Sequence, residues 1–183
     1  MALVAQPKTQ TVRAGIKLLE QVIAEFPGHH DDVAGAQNAR AEGLWKIGEI
    51  EMSVEAYREA IEYEKRDELR NIYYTTGLDF VYRVALAERD ECYDECLEVL
   101  AWVHERQGRF PWFHREKFML TSATAVFMAH FGMRDDAARL ARVALDAASA
   151  THSGLSHHPN VGLVTGSAED QEMIKRMRRL GSV

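Results

Sequence analysis

The side chains able to do chemistry fall into a few short groups. His29-His30-Asp31-Asp32 offers metal-ligand types, and His157-His158 stands just before Pro159. Neighbours on one loop seldom converge on a single ion, because ligand geometry draws residues from several places. The first group therefore reads as a helix-entry turn, with Asp31 or Asp32 as the cap. His157-His158 falls in a segment expected to be mobile. His104, His114 and His130 fall in different helical regions. One of them could act as a base, yet nothing beside them reads as an activated nucleophile. Cys92 and Cys96 are four apart on an expected helix, which is poor disulfide geometry. A soft-metal or redox site there would want further thiol or imidazole ligands, so two buried thiols are expected.

Glu91, Asp94, Glu95 and Glu98 form an acidic ridge on the same helix. Paired carboxylates can do acid–base work, but a ridge opposite the apolar face is most simply solvated. Lys175, Arg176, Arg178 and Arg179 could meet phosphate or an acidic partner; at a helix C-terminus they also suit the helix dipole. No phosphate-cradling glycine loop and no zinc-protease helix signature occurs. The expectation is no catalytic residue, no metal site and no cofactor.

Helices must position whatever this chain binds. Thr11 to Phe26 carries Gly15, Leu19, Val22 and Ile23 on one face and closes at Pro27-Gly28. An alanine-rich helix through Ala36, Ala41, Leu44 and Trp45 runs to a turn at Gly48, and another from about Ile50 to Glu64 follows. Asp67 can cap a helix bearing Ile72, Tyr73, Gly77, Phe80, Val81 and Val84. After the turn Glu88-Arg89-Asp90 comes a helix with Cys92, Cys96, Val99, Leu100 and Val103. A strongly apolar helix is expected from near Trp112 to Gly132, then one with Ala137, Ala141, Ala144 and Leu145. Residues 151–166 carry no period and read as a linker; Ser167 caps a final helix over 167–181, with Ile174, Met177 and Leu180 as its apolar stripe.

These helices repeat. From Gly48, the offsets +5, +9, +12 and +13 give Ser53, Tyr57, Ala60 and Ile61, one face of a helix. From Gly132 they give Ala137, Ala141, Ala144 and Leu145; from Ala87, Cys92, Cys96, Val99 and Leu100; from Gln10, Gly15, Leu19, Val22 and Ile23. The anchors are 38, 39 and 45 residues apart, which indicates an internal repeat of helical hairpins.

The stretch Gly48–Ile61, GEIEMSVEAYREAI, closely resembles the second helix of a tetratricopeptide repeat. It has glycine at the turn, then a small residue, an aromatic, alanine and an aliphatic. The resemblance covers roughly residues 10–150. The family repeats about every 34 residues, so the longer spacing here means extended helices or turns. The resemblance implies an all-α, right-handed solenoid of about three hairpins over 11–150, with a leading helix and a C-terminal capping helix; residues 1–10 read as disordered. First helices in such arrays line a concave binding face. The family's groove positions fall on Asn38, Glu42 and Trp45, and on Ser122, Val126 and His130; Tyr74 and Tyr82 are the middle hairpin's expected contributors. The basic set that clamps a C-terminal carboxylate in some members is not matched, since Glu42 has the wrong charge.

Bulk properties agree with a binding module. The net charge is −6, divided as −9 over residues 1–108 and +3 over 109–183. An acidic chain argues against general nucleic-acid binding. No run approaches the ~20 apolar residues of a membrane span, and no secretory signal opens the chain. A soluble, cytoplasmic protein is expected. The reading is a non-catalytic module that binds a peptide or protein on its concave face. Rivals are a dedicated chaperone or immunity-type inhibitor of one secreted protein, a histidine-dependent hydrolase or metalloenzyme, and a scaffold that self-associates as a homodimer.

Overall fold

In the computed structural model residues 7–66, 75–107 and 113–182 are described, and every regular element among them is helical. The order is α1 (Pro7–Glu25), α2 (His30–Lys46), α3 (Ile50–Arg66), α4 (Thr76–Ala87), one 3-10 turn (Asp90–Cys92), α5 (Tyr93–Gln107), α6 (His114–His130), α7 (Arg134–Ala148) and α8 (Ala168–Gly181). The all-α expectation holds. The chain forms two compact units, Met1–Gly77 and Leu78–Val183.

In the first unit α2 packs against both α1 and α3. Small residues on α2 allow this. A Cβ added to Gly43 would stand 2.9 Å from Ile16 Cγ1, so α1 approaches closely at that point. Ser53, Tyr57, Ala60 and Ile61 are all buried, as their helical spacing predicts. The Ser53 hydroxyl donates to the Ala41 carbonyl at 2.8 Å, which satisfies a polar group inside the α2–α3 seam. Arg40 reaches Glu59 on α3 at 2.7 Å and Glu20 on α1 at 3.5 Å.

In the second unit α7 packs between α6 and α8. Its buried stripe is Ala137, Ala138, Ala141, Ala144 and Ala147, with Leu145 half-buried. Cys92 and Cys96 are buried thiols with no disulfide. Tyr93 packs on Phe127 of α6, ring centres 4.6 Å apart.

The turns repeat at atomic detail. At the end of α2, Gly48 N–H donates to Trp45 O and Glu49 N–H to Leu44 O. At the end of α6, Gly132 N–H donates to Ala129 O and Met133 N–H to Met128 O. Both are Schellman closures, with glycine in the left-handed conformation at φ +79. A third closes α4, where Glu88 N–H donates to Ala85 O and Arg89 N–H to Val84 O. There the left-handed residue is Glu88, at φ 54, and not Ala87. The 3-10 turn that follows takes up the extra residue, which is why Cys92, Cys96 and Val99 are nonetheless buried.

Several local expectations are corrected. α1 starts at Pro7, not Thr11, so residues 7–10 are helical; proline suits a first helical position. α2 starts at His30 after His29, with no side-chain cap bond. Asp32 instead faces His29 Nδ1 at 3.5 Å. α6 starts at His114, where the Glu116 carboxylate accepts from Phe113 N–H at 3.1 Å. Trp112, Asp67, Ile72 and Tyr73 lie outside the described residues. The segment 151–166 is not a bare linker. Ser153 N–H donates to Pro159 O at 2.7 Å, the Ser153 hydroxyl to His158 O, and Arg115 N–H to Gly162 O, tying it to the start of α6.

Candidate partner-binding face

On α2, Asn38, Glu42 and Trp45 stand at i, i+4 and i+7 and share one helix face. All three are half-buried. Two fully buried alanines border this row, Ala34 one turn before Asn38 and Ala41 one turn before Trp45. Glu42 accepts from Lys46 at 2.9 Å, an ordinary pair one turn along the helix. The amides are less settled. Asn38 Oδ1 and its neighbour Gln37 Oε1 are buried atoms that meet no donor among the described residues. A buried acceptor without a donor costs free energy, and both atoms are shut off from solvent by the chain itself.

The other expected contributors behave differently. Tyr74 lies outside the described residues. Tyr82, Ser122 and Val126 are buried in the second unit and offer a partner no surface there. Ser122 is satisfied by Met119 O at 3.2 Å. Their positions have helical spacing, but spacing alone does not separate a groove face from a core face. His130 is exposed and stacks edge-on to Tyr93, ring centres 4.9 Å apart, and to Phe131 at 5.1 Å.

Tyr82 belongs to a polar cluster that periodicity did not reveal. Asp170, fully buried at the start of α8, accepts from Arg115 Nη1 at 2.9 Å, Thr165 Oγ1 at 3.1 Å and Tyr82 OH at 3.2 Å. Ser167 caps α8 by accepting from Asp170 N–H, as expected. Beside it Arg83 grips both Glu169 oxygens at 2.9 Å. Burial, and then the Asp170 charge, push the Tyr82 phenol well above the usual tyrosine range. Every group here is hydrogen-bonded to another, which makes the cluster a lock for α8.

The basic cluster of α8 is partly absorbed in the same way. Arg176 donates to the α4 carbonyls Ala85 O at 2.6 Å and Leu86 O at 3.4 Å and pairs with Glu88 at 3.0 Å. Arginine here caps the C-terminal end of α4. Lys175 pairs with Glu172 at 3.5 Å. Met173 and Met177 are the fully buried apolar residues of α8, with Ile174 and Leu180 half-buried. Glu91, in the 3-10 turn, and Asp94 and Glu98 on α5 are exposed, and Glu95 on α5 is half-buried. Among the described residues no three His, Cys, Asp or Glu side chains stand together as metal ligands would, and no helix is long and apolar enough to cross a membrane. No family model, curated protein or solved structure matches this chain.

Proposed function

We propose that the chain is a tetratricopeptide-like helical repeat protein, a right-handed array of hairpins that binds a peptide or protein partner without catalysis. The α2 face at Asn38, Glu42 and Trp45 is its contact surface. The observation that carries this reading is the half-buried Trp45, which shares one face of α2 with the half-buried Asn38 and Glu42. Tryptophan is over-represented among interface anchors. The repeated Schellman turns at Gly48, Glu88 and Gly132 support the repeat reading.

The test is capture of the partner from native cells with the wild-type chain and with Asn38→Ala and Trp45→Ala, beside thermal melts of each. Trp45→Ala should weaken binding thirtyfold or more, about 2 kcal/mol for an anchor, while the fold survives. Unchanged capture by both variants would remove this face from the function.

A further inference from the structure

The first unit also carries an apolar cleft of about 470 Å³ between α1 and α2. Leu19, Val22 and Phe26 form one wall; His29, Asp32, Gly35 and Ala36 form the other. Leu18, beside it on α1, is 63% exposed and Phe26 is 48% exposed. Leu18, Val22 and Phe26 stand at successive i+4 steps, so they make a continuous ridge along the helix. Contiguous exposed apolar surface of this kind marks an interaction site.

The charges on α1 indicate what covers it. Arg13 and Lys17 lie in its first half and Glu20 and Glu25 in its second, with no acidic residue in the first turn and no basic residue in the last; Arg13 already pairs with Glu49 and Glu20 with Arg40, so Lys17 and Glu25 are the charges that bear on a partner. That order runs against the helix's own dipole, which favours anions at the N-terminus and cations at the C-terminus. The acidic end of α1 also lies at the cleft, beside Asp32 of α2. A helix laid antiparallel along α1, with basic residues early and acidic residues late, would neutralise both ends. α1 itself has that pattern.

We propose that the cleft seats a second copy of this chain, with the two α1 helices antiparallel across a twofold axis. In a twofold interface each contact occurs twice, with roles exchanged. Setting Leu18 of one copy against Val22 of the other brings Lys17 within about two residues of the other copy's Glu25, some 3 Å along a helix. Leu18 then enters the apolar cleft, and the two exposed charges Lys17 and Glu25 pair across the interface. The proposal uses residues other than the α2 amide row, so either can fail alone.

Sedimentation of the full chain from micromolar to submillimolar concentration tests it, and the expected species is twice the monomer mass. A Cβ at Gly35 meets nothing within 4 Å, so Gly35→Leu fills the cleft without disturbing the fold and should abolish the dimer. Lys17→Glu alone should weaken self-association by about tenfold, since two like-charge contacts replace two pairs. The double variant Lys17→Glu/Glu25→Lys should restore it to within about threefold, because the charge pattern is merely exchanged. A chain that is monomeric throughout overturns the proposal, as does a dimer indifferent to Gly35→Leu. A monomer whose capture of a different protein is lost in Gly35→Leu assigns the cleft to that partner instead.

Discussion

Gly48 and Gly132 hold the same left-handed backbone angle, φ +79, and each closes the turn between two helices by the same pair of hydrogen bonds. Neither has any atom within 4 Å of where a Cβ would stand. The need for glycine is therefore a matter of backbone conformation and not of space. Replacing either by alanine should cost about 1–2 kcal/mol, the penalty of the left-handed region for a residue with a Cβ. Glu88 already carries that penalty at φ 54. Glu88→Gly relieves it and gives up only an ion pair to Arg176 whose glutamate side chain is 69% exposed, so it should stabilise. Urea melts of the three variants decide this, and a Glu88→Gly protein less stable than wild type would refute it.

Ala60 and Ala144 occupy matching offsets from those two glycines, and both are fully inaccessible. Phenylalanine at either position should overpack the seam and cost about 1–3 kcal/mol. An unchanged melting temperature would show that the seam has room.

Legibility in the sequence followed the range of each interaction. The turns and the buried stripe Ser53, Tyr57, Ala60 and Ile61 were readable because they depend on residues a few positions apart. The middle turn was misplaced by one residue, since glutamate stands where glycine marks the other two. The Asp170 cluster left no local signal: its bonds join residues 55 and 88 positions apart. The burial of Tyr82, Ser122 and Val126 was hidden for a related reason. A helix packed on more than one side has several faces with the same period, and period does not say which of them meets solvent.

The buried phenols make the second unit sensitive to alkali. Burial chiefly pushes Tyr93 up to about 12, with Arg176 pulling the other way, and Tyr82 is also raised. A phenol raised in the folded state stabilises fully below its unfolded value, about 10, and that contribution is lost as pH rises through the folded value. Stability should therefore fall from pH 10 upward. Tyr82→Phe/Tyr93→Phe should flatten the fall while keeping both rings packed. Absorbance titration of the phenols is the direct check; both ionising near pH 10 in the folded protein would contradict it.

Removing the carboxylate at the centre of the lock tests α8 itself. Asp170→Ala deprives Arg115, Thr165 and Tyr82 of their common acceptor. Breaking a buried charge pair from one side typically costs about 3–5 kcal/mol; here Arg115 is 34% exposed and recovers water, so about 2–4 kcal/mol is expected. Amide exchange should rise along α8 before the rest of the second unit. Uniform exchange with an unchanged melt would mean that Met173 and Met177 hold the helix without the polar cluster.

Gly162 bears directly on Phe113. A Cβ built there would lie 2.4 Å from Phe113 Cβ and 2.5 Å from its Cγ, and the residue also sits at φ +68. Its carbonyl accepts from Arg115 N–H at 2.7 Å, so glycine is required both for the turn and for the approach to the start of α6. Gly154 in the same segment separates the two effects, since it has φ +86 and nothing within 4 Å. Gly154→Ala should show the backbone penalty alone, about 1–2 kcal/mol. Gly162→Ala should add about 1–3 kcal/mol of overpacking and open residues 151–161 to limited proteolysis. If Gly162→Ala melts with Gly154→Ala and resists the protease equally, the segment is not held to α6 at this point.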